Sequence, residues 1–253
     1  MNISSDMWQT RAAMCELLAL SFRYPDDKVL AEAIASGEWD EAAVEISEAL
    51  GLNWATTTIL DTADAAASSN SDSIQKKLRF EATRLFIGTP EATCSPYEGV
   101  WRARAEGVKP LFFVNPRTMA VERFCRDCGL GRPENTNEPL DAVWTELELL
   151  EYLALRAADD AHSALRGDNA LTDERSEKHE ETGDEIDVEN NISESAGMLA
   201  STDLPGGSPE AAWNEFMVNH AKIWMPMFAE AVQGDSRVPF YRQAASLLAA
   251  FIE

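Results

Sequence analysis

Apolar residues return at three- and four-residue steps through most of this chain, and Gly or Pro clusters interrupt them at intervals. That period sets side chains along one stripe of an α-helix, whereas a half-buried strand would need strict alternation. Alanine is abundant and β-branched residues are thin, so backbone propensity favours helix. The expected fold is therefore all-α, a single helical bundle of about ten helices without sheet, with two helical halves joined by a hinge as its variant. At 253 residues the chain is long enough to bury a sizeable core in either form.

The central stretch is residues 79–101, RFEATRLFIGTPEATCSPYEGVW, in which a helix runs into a long loop. Phe80, Leu85 and Phe86 suit the buried side of that helix. Gly88 and Pro90 stop it, because Gly tolerates left-handed dihedrals and Pro cannot donate the next hydrogen bond. The loop that follows, taken as 88–114, is long for a helix–helix connection and keeps Tyr97, Val100 and Trp101. Loop aromatics either finish a core or wall a groove.

Ser5 or Asp6 is expected to cap an opening helix whose buried stripe is Trp8, Ala12, Cys15, Ala19 and Phe22 and which ends at Tyr24-Pro25. Shorter helices are expected over 26–35 and 40–50, broken at Ser36-Gly37, and over 53–67, with a Ser/Asn-rich turn before the central stretch. Leu111-Phe112-Phe113-Val114 is compatible with a short strand. Asn115-Pro116 reads as a cap and first helical residue, with Met119, Val121, Phe124 and Cys125 following up to Gly129. Residues 131–137 form a polar linker, after which Glu138-Pro139-Leu140-Asp141 opens a helix with Leu147, Leu150, Leu153 and Ala154 on one side. Asp141 is placed where a capping residue stands.

Composition shifts between residues 159 and 203, where fourteen acidic residues face Arg166, Arg175 and Lys178. Apolar residues there are too sparse to offset the entropy of ordering, so an acidic and partly mobile insertion over 159–207 is expected. The chain thus divides into an N-terminal helical portion, 1–137, and a C-terminal one, 138–253, that carries the insertion. Order resumes at Ser208-Pro209, and Trp213, Phe216, Met217, His220, Trp224 and Phe228 form a dense stripe, with Pro226 expected to kink or split that helix. A last helix from Pro239 shows Phe240, Ala244, Leu247, Leu248 and Phe251 on its core face.

Lys plus Arg total 21 against 44 Asp plus Glu, a formal charge of −23. Such a field repels phosphate backbones, which argues against nucleic acid, and it would steer a basic peptide inward. No run reaches the roughly 18 apolar residues of a membrane span. The first 22 residues carry Asp6 and Glu16 and no basic leader, so they read as a helix and the protein is expected in the cytoplasm. Cys15, Cys94, Cys125 and Cys128 suit reduced thiols. Cys125-x-x-Cys128 lacks the second pair that zinc would need, so neither metal nor cofactor is expected. Of the three histidines, His162 and His179 lie beside or inside the acidic segment and His220 in the aromatic stripe. No nucleophile–base set, phosphate loop or HExxH helix is visible, and the chain is read as a non-enzyme.

Three groups of residues resemble the TorD/DmsD family of cytoplasmic chaperones for molybdenum-containing redox enzymes. They are Leu85, Phe86, Gly88, Pro96, Tyr97 and Trp101 in the central stretch, Glu138, Pro139 and Asp141 in a Glu-Pro-x-Asp element, and His220, Trp224 and Phe228 before Phe240-Tyr241. Ala82 replaces a family aromatic residue and Ala142 a family histidine. The resemblance implies an all-helical chaperone, and these twelve residues as the ones that receive a twin-arginine signal peptide. Its partners would be that peptide and the apo form of a molybdoenzyme catalytic subunit, held until the cofactor is loaded. The aromatic loop would supply walls, and Glu138 and Asp141 an acidic rim for the guanidinium groups. Helical chains with long connections can also exchange elements, which makes a homodimer an expected alternative to the monomer. The competing readings are an assembly factor for a non-exported reductase subunit and a nucleotide or small-molecule binder.

Overall fold

The computed structural model describes residues 3–54, 70–88, 91–108, 115–132, 138–170, 193–194 and 199–253. Among them the architecture is an all-helical bundle around one hydrophobic core that runs from Trp8 to Ile252. Helix α1 (Ser5–Phe22) begins where Ser4 accepts the Met7 N–H at 3.3 Å, so the cap lies one residue before the expected pair. Its whole expected stripe is buried. Helices α2 (Val29–Ser36) and α3 (Glu38–Ala49) meet at Gly37, where the break was read. The helix expected over 53–67 and the Leu111–Val114 run lie outside the described residues, apart from the first two positions of that helix.

Helix α4 (Ser71–Ala82) is capped by Asn70 and passes directly into a π turn, Thr83–Ile87. Ile74, Leu78 and Ala82, four residues apart, define its buried face. Phe80 is two residues round from Leu78 and is 72% exposed, which corrects its assignment to the core. The π turn then re-aims the chain so that Leu85 and Phe86 do point inward. Gly88 ends it at φ 37°, and a Cβ there would meet the Glu91 carbonyl oxygen at 2.7 Å.

Helix α5 (Glu98–Ala105) follows the central loop. Helix α6 (Pro116–Asp127) is capped by Asn115, whose Oδ1 accepts the Arg117 N–H at 2.9 Å with Pro116 at the first position, as the Asn-Pro pair indicated. Val121, Phe124 and Cys125 are buried, but Met119 is exposed. Helix α7 (Val143–Ala170) runs past residue 159, so the acidic insertion begins inside a helix. Residues 171–192 and 195–198 of that insertion, and 133–137 of the polar linker, lie outside the described residues. Among the described residues a two-residue antiparallel ladder, Leu130 with Glu194 and Gly131 with Ser193, is a small exception to the absence of sheet.

Helix α8 (Pro209–Phe216) is capped by Ser208 and leads through a second π turn, Met217–Ala221, into α9 (Lys222–Asp235). The expected split at Pro226 does not occur. The irregularity falls one turn earlier, in that π turn, and α9 continues through the proline. Helix α10 (Pro239–Ile252) closes the bundle against α9, while α1 lies along α7. Because α1 belongs to the first portion and α7 to the second, the two portions share the core. Phe22, Phe86, Phe228 and Tyr241 meet within it at centroid distances of 5.3–6.4 Å, mostly edge to face, worth about 0.5–1.5 kcal/mol per pair beyond burial. No helix among the described residues is long and apolar enough to cross a membrane.

Candidate functional site

The central loop and the Glu-Pro-x-Asp element, some forty residues apart in sequence, are clasped together. Tyr97 and Ala142 form an isolated antiparallel bridge. The Glu98 N–H donates to the Asp141 carbonyl at 2.9 Å, and the Val143 N–H to the Pro96 carbonyl at 2.8 Å. Ala142 is wholly buried at the centre of this clasp.

Asp141 does not stand on a rim. It is buried, and its Oδ2 accepts the Gly99 N–H at 2.9 Å and the Thr118 hydroxyl at 2.7 Å. The capping role read for it is real but serves α5 rather than the helix it precedes. Asn115 completes the contact by donating Nδ2 to the Gly99 carbonyl at 2.8 Å. Gly99 has no room for more, since a Cβ would fall 2.5 Å from that Asn115 nitrogen. Burial raises the Asp141 pKa, and the Thr118 and Gly99 donors hold it back.

Two further carboxylates lie beneath. Glu98 is fully buried; its Oε1 accepts from Arg102 Nη1 at 2.7 Å and its Oε2 lies 2.8 Å from His220 Nδ1. Arg102 also donates to the Asn219 carbonyl at 2.9 Å, so α5 is fastened to the second π turn at two points. The His220 ring stacks on Phe216 at 4.7 Å. Glu146, equally buried, accepts the Trp224 indole N–H on Oε2 at 2.9 Å. Burial, then the neighbouring Glu98, pushes Glu146 well above the usual carboxylate range. These contacts were not legible from sequence, because Glu98 and Glu146 sit in no motif and their partners lie far along the chain.

The predicted site residues therefore separate into two sets. Leu85, Phe86, Asp141, His220, Trp224 and Phe228 are buried and hold the framework, and Gly88 sets the exit of the first π turn. Tyr97, Trp101, Glu138 and Pro139 are half-exposed. Trp101 donates its indole N–H to the Ser95 carbonyl at 2.6 Å and lies 6.5 Å from Phe228, while Pro96 is buried and belongs to the clasp. Tyr97 packs edge-on to Trp144 at 6.4 Å, and burial followed by Glu138 and Asp141 raises its phenol to about 12.

Outside the clasp, along the seam of α1 and α7, Arg23 makes an ion pair with Glu148 and also faces Glu138 and Glu151. Burial raises the Glu138 pKa and, helped by Glu16, lifts Glu151 to about 7, with Arg23 opposing both. All four cysteines are free and buried. Burial raises Cys94 and Cys128 to about 12 and Cys125 further, which fits packing rather than reactivity. Among the described residues, no cluster of three or more His, Cys, Asp and Glu side chains could hold a metal ion.

The family model described as nitrate reductase delta subunit matches residues 35–182, more than half of the chain. The chain belongs to that family. Membership makes it a TorD-like maturation chaperone for molybdoenzymes, and the family is one of maturation factors, not of catalysts. The matched span includes the central stretch and the clasp, while His220, Trp224 and Phe228 lie beyond it. Compared with the curated proteins and with the solved structures, the chain gives no match.

Proposed function

We propose that this protein binds the twin-arginine signal peptide of a molybdopterin oxidoreductase subunit and keeps the apo subunit from export until its cofactor is in place. The family match carries this reading. Half-exposed Tyr97 with the Glu138 carboxylate near it, together with half-exposed Trp101 and Pro139, supports it, since such a peptide joins guanidinium groups to an apolar stretch. The buried members of the predicted set shape that surface from within. Such a role belongs in the cytoplasm, and the −23 charge would steer a basic leader toward the chaperone.

Calorimetry with a peptide carrying the Arg-Arg pair, against a Lys-Lys counterpart, tests the proposal. Preference for Arg-Arg is expected, and equal or absent binding of both would remove the signal-peptide clause. One second reading takes the client to be a reductase subunit that is not exported, and the description of the family as nitrate reductase delta subunit supports its reductase part. Co-purification with a catalytic subunit lacking any leader would select it.

A further inference from the structure

We infer that Arg104 sets the direction in which the client peptide lies: stacked on Trp101, it turns cations away from that end of the site and admits apolar or acidic side chains, so that the Arg-Arg pair docks at the Tyr97 end. This rests on the reading of the protein as a signal-peptide-binding chaperone and adds to it a residue that governs specificity.

The two ends of the half-exposed surface differ in charge. Tyr97 precedes the first residue of α5, and the Glu138 carboxylate is near its phenol. Trp101 follows four residues later and Arg104 three after that, so the indole and the guanidinium share one face of α5. The guanidinium carbon of Arg104 lies over the Trp101 ring, 5.3 Å from its centroid. An acidic end and a cationic end thus flank two aromatic rings.

Arg104 holds its place without a carboxylate. The two glutamates nearest to it along the chain are engaged elsewhere, Glu98 by Arg102 and His220 and Glu106 by Arg117 at 2.6 Å. Arg102, on the preceding turn, is half-buried and spent on Glu98 and the Asn219 carbonyl. Among the described residues no acidic side chain lies within ion-pair distance of Arg104. In a chain with 44 acidic residues against 21 Lys and Arg, an exposed arginine resting on an aromatic ring is a charge left for something else to meet.

What it can meet follows from the contact. The Trp101 indole N–H is already given to the Ser95 carbonyl, so the ring offers a peptide only apolar surface. A client cation that approached this ring for its π face would find a like charge in place. An apolar side chain packs on the ring and on the methylene stem of Arg104, and an acidic one gains the guanidinium. Seven residues of helical rise separate Tyr97 from Arg104, about 10 Å, which about three residues of extended peptide span. The client position that faces Arg104 therefore lies in the apolar stretch that follows the arginines, not among the arginines.

The test uses the full chain and a synthetic leader peptide with Arg-Arg before a neutral apolar stretch. Two derivatives carry a single Lys or a single Glu about three to six residues after the pair, and a Lys-Lys peptide serves as the counterpart. Calorimetry at about 0.15 M salt, where fields from distant charges are screened beyond about 8 Å, reads the local contact. Wild type should bind the Glu derivative about tenfold more tightly than the Lys derivative, against the pull of its own net charge. Arg104→Glu should reverse that order. Arg104→Gln should bring the two within about twofold, and it covers the case in which an acid near a helix C-terminus destabilises the glutamate variant. A role confined to packing or to the end of α5 would shift all the peptides together.

Equal binding of the two derivatives by wild type, or the same order in all three proteins, would overturn the inference, and a retained preference for Arg-Arg over Lys-Lys would then leave the signal-peptide reading standing. No binding of any peptide by folded wild type would remove that reading and the inference with it.

Discussion

Asp141 caps a helix to which it does not belong. Its Oδ2 takes the N–H of Gly99 at 2.9 Å, one of the orphan donors at the start of α5, while Thr118 on α6 donates to the same oxygen. Three helices therefore meet at one carboxyl group, and the loop that carries Tyr97 is fixed between them. Asp141→Ala should cost about 2–3 kcal/mol in chemical denaturation, because two buried donors lose their acceptor. Asp141→Asn keeps an acceptor oxygen and suits a site where burial already disfavours the charge, so its loss should stay near 1 kcal/mol. An alanine variant within about 0.5 kcal/mol of wild type would contradict the role given to this residue.

Gly99 makes the same junction sensitive to bulk. A methyl group there would press on both Asn115 Nδ2 and Thr118 Oγ1, 2.5 and 2.8 Å away, and these are the groups that join α5 to α6. Gly99→Ala should lower stability by about 1–3 kcal/mol even though alanine is the better helix former. A neutral or stabilising result in thermal melting would mean that the helices slide apart freely.

Glu98 and Glu146 are buried side by side and should answer mutation in opposite ways. Glu98 holds Arg102 and His220 and through them the second π turn, so Glu98→Gln should cost about 2–4 kcal/mol. Burial, then Glu98, pushes the Glu146 pKa up, and its Oε2 accepts the Trp224 N–H. Glutamine reproduces that acceptor, so Glu146→Gln should lie within about 1 kcal/mol of wild type. Denaturant midpoints compared at pH 7 check both, and equal losses would contradict the contrast drawn between the two carboxyl groups.

The helical class could be read from spacing alone, because apolar stripes such as Trp8 to Phe22 and Trp213 to Phe228 repeat faithfully and are buried as expected. Caps with strong local chemistry, Asn115-Pro116 and Ser208-Pro209, were legible for the same reason: their partners are two or three residues away. What failed was geometry that depends on hydrogen-bond register. Phe80 reads as core only if the helix continues with its interior where Phe86 points, and a π turn between them breaks that continuity. Asp141 looked like an exposed rim group because a sequence does not show that Gly99, forty-two residues earlier, waits for its oxygen. Tyr97 and Trp101 are half-exposed, but spacing alone could not sort them from the sealed rings beneath them.

Glu151 should give the chain a pH dependence opposite to that of an ordinary paired carboxylate. Its folded pKa is raised from 4.5 to about 7, so between those values the native state binds more protons than the unfolded chain. Its contribution is fully present below pH 4.5 and is lost as pH rises through about 7. Glu151→Gln should therefore gain on the order of 1 kcal/mol over wild type at pH 8, after allowance for its partial exposure, and nothing at pH 4. Urea midpoints for the two proteins across this range should converge at the acid end; curves that run parallel would refute the assignment.

Substitutions at Tyr97 and Trp101 can test the proposed recognition apart from packing, because each is half-exposed while the rings behind them are sealed. Tyr97→Ala should keep most of the stability, since one side of the ring is wet, yet weaken an Arg-Arg leader peptide about tenfold or more, in the range of an aromatic contact at an interface. Trp224→Phe should do the reverse: it strips Glu146 of its indole donor at 2.9 Å inside the core, lowering the melting temperature while leaving peptide affinity within about twofold once the protein is folded. Parallel titrations and melts of the two variants read both quantities at once. If Tyr97→Ala unfolds the chain, or if it binds the peptide as well as wild type does, the aromatic loop is a seal on the core and the client must be met elsewhere.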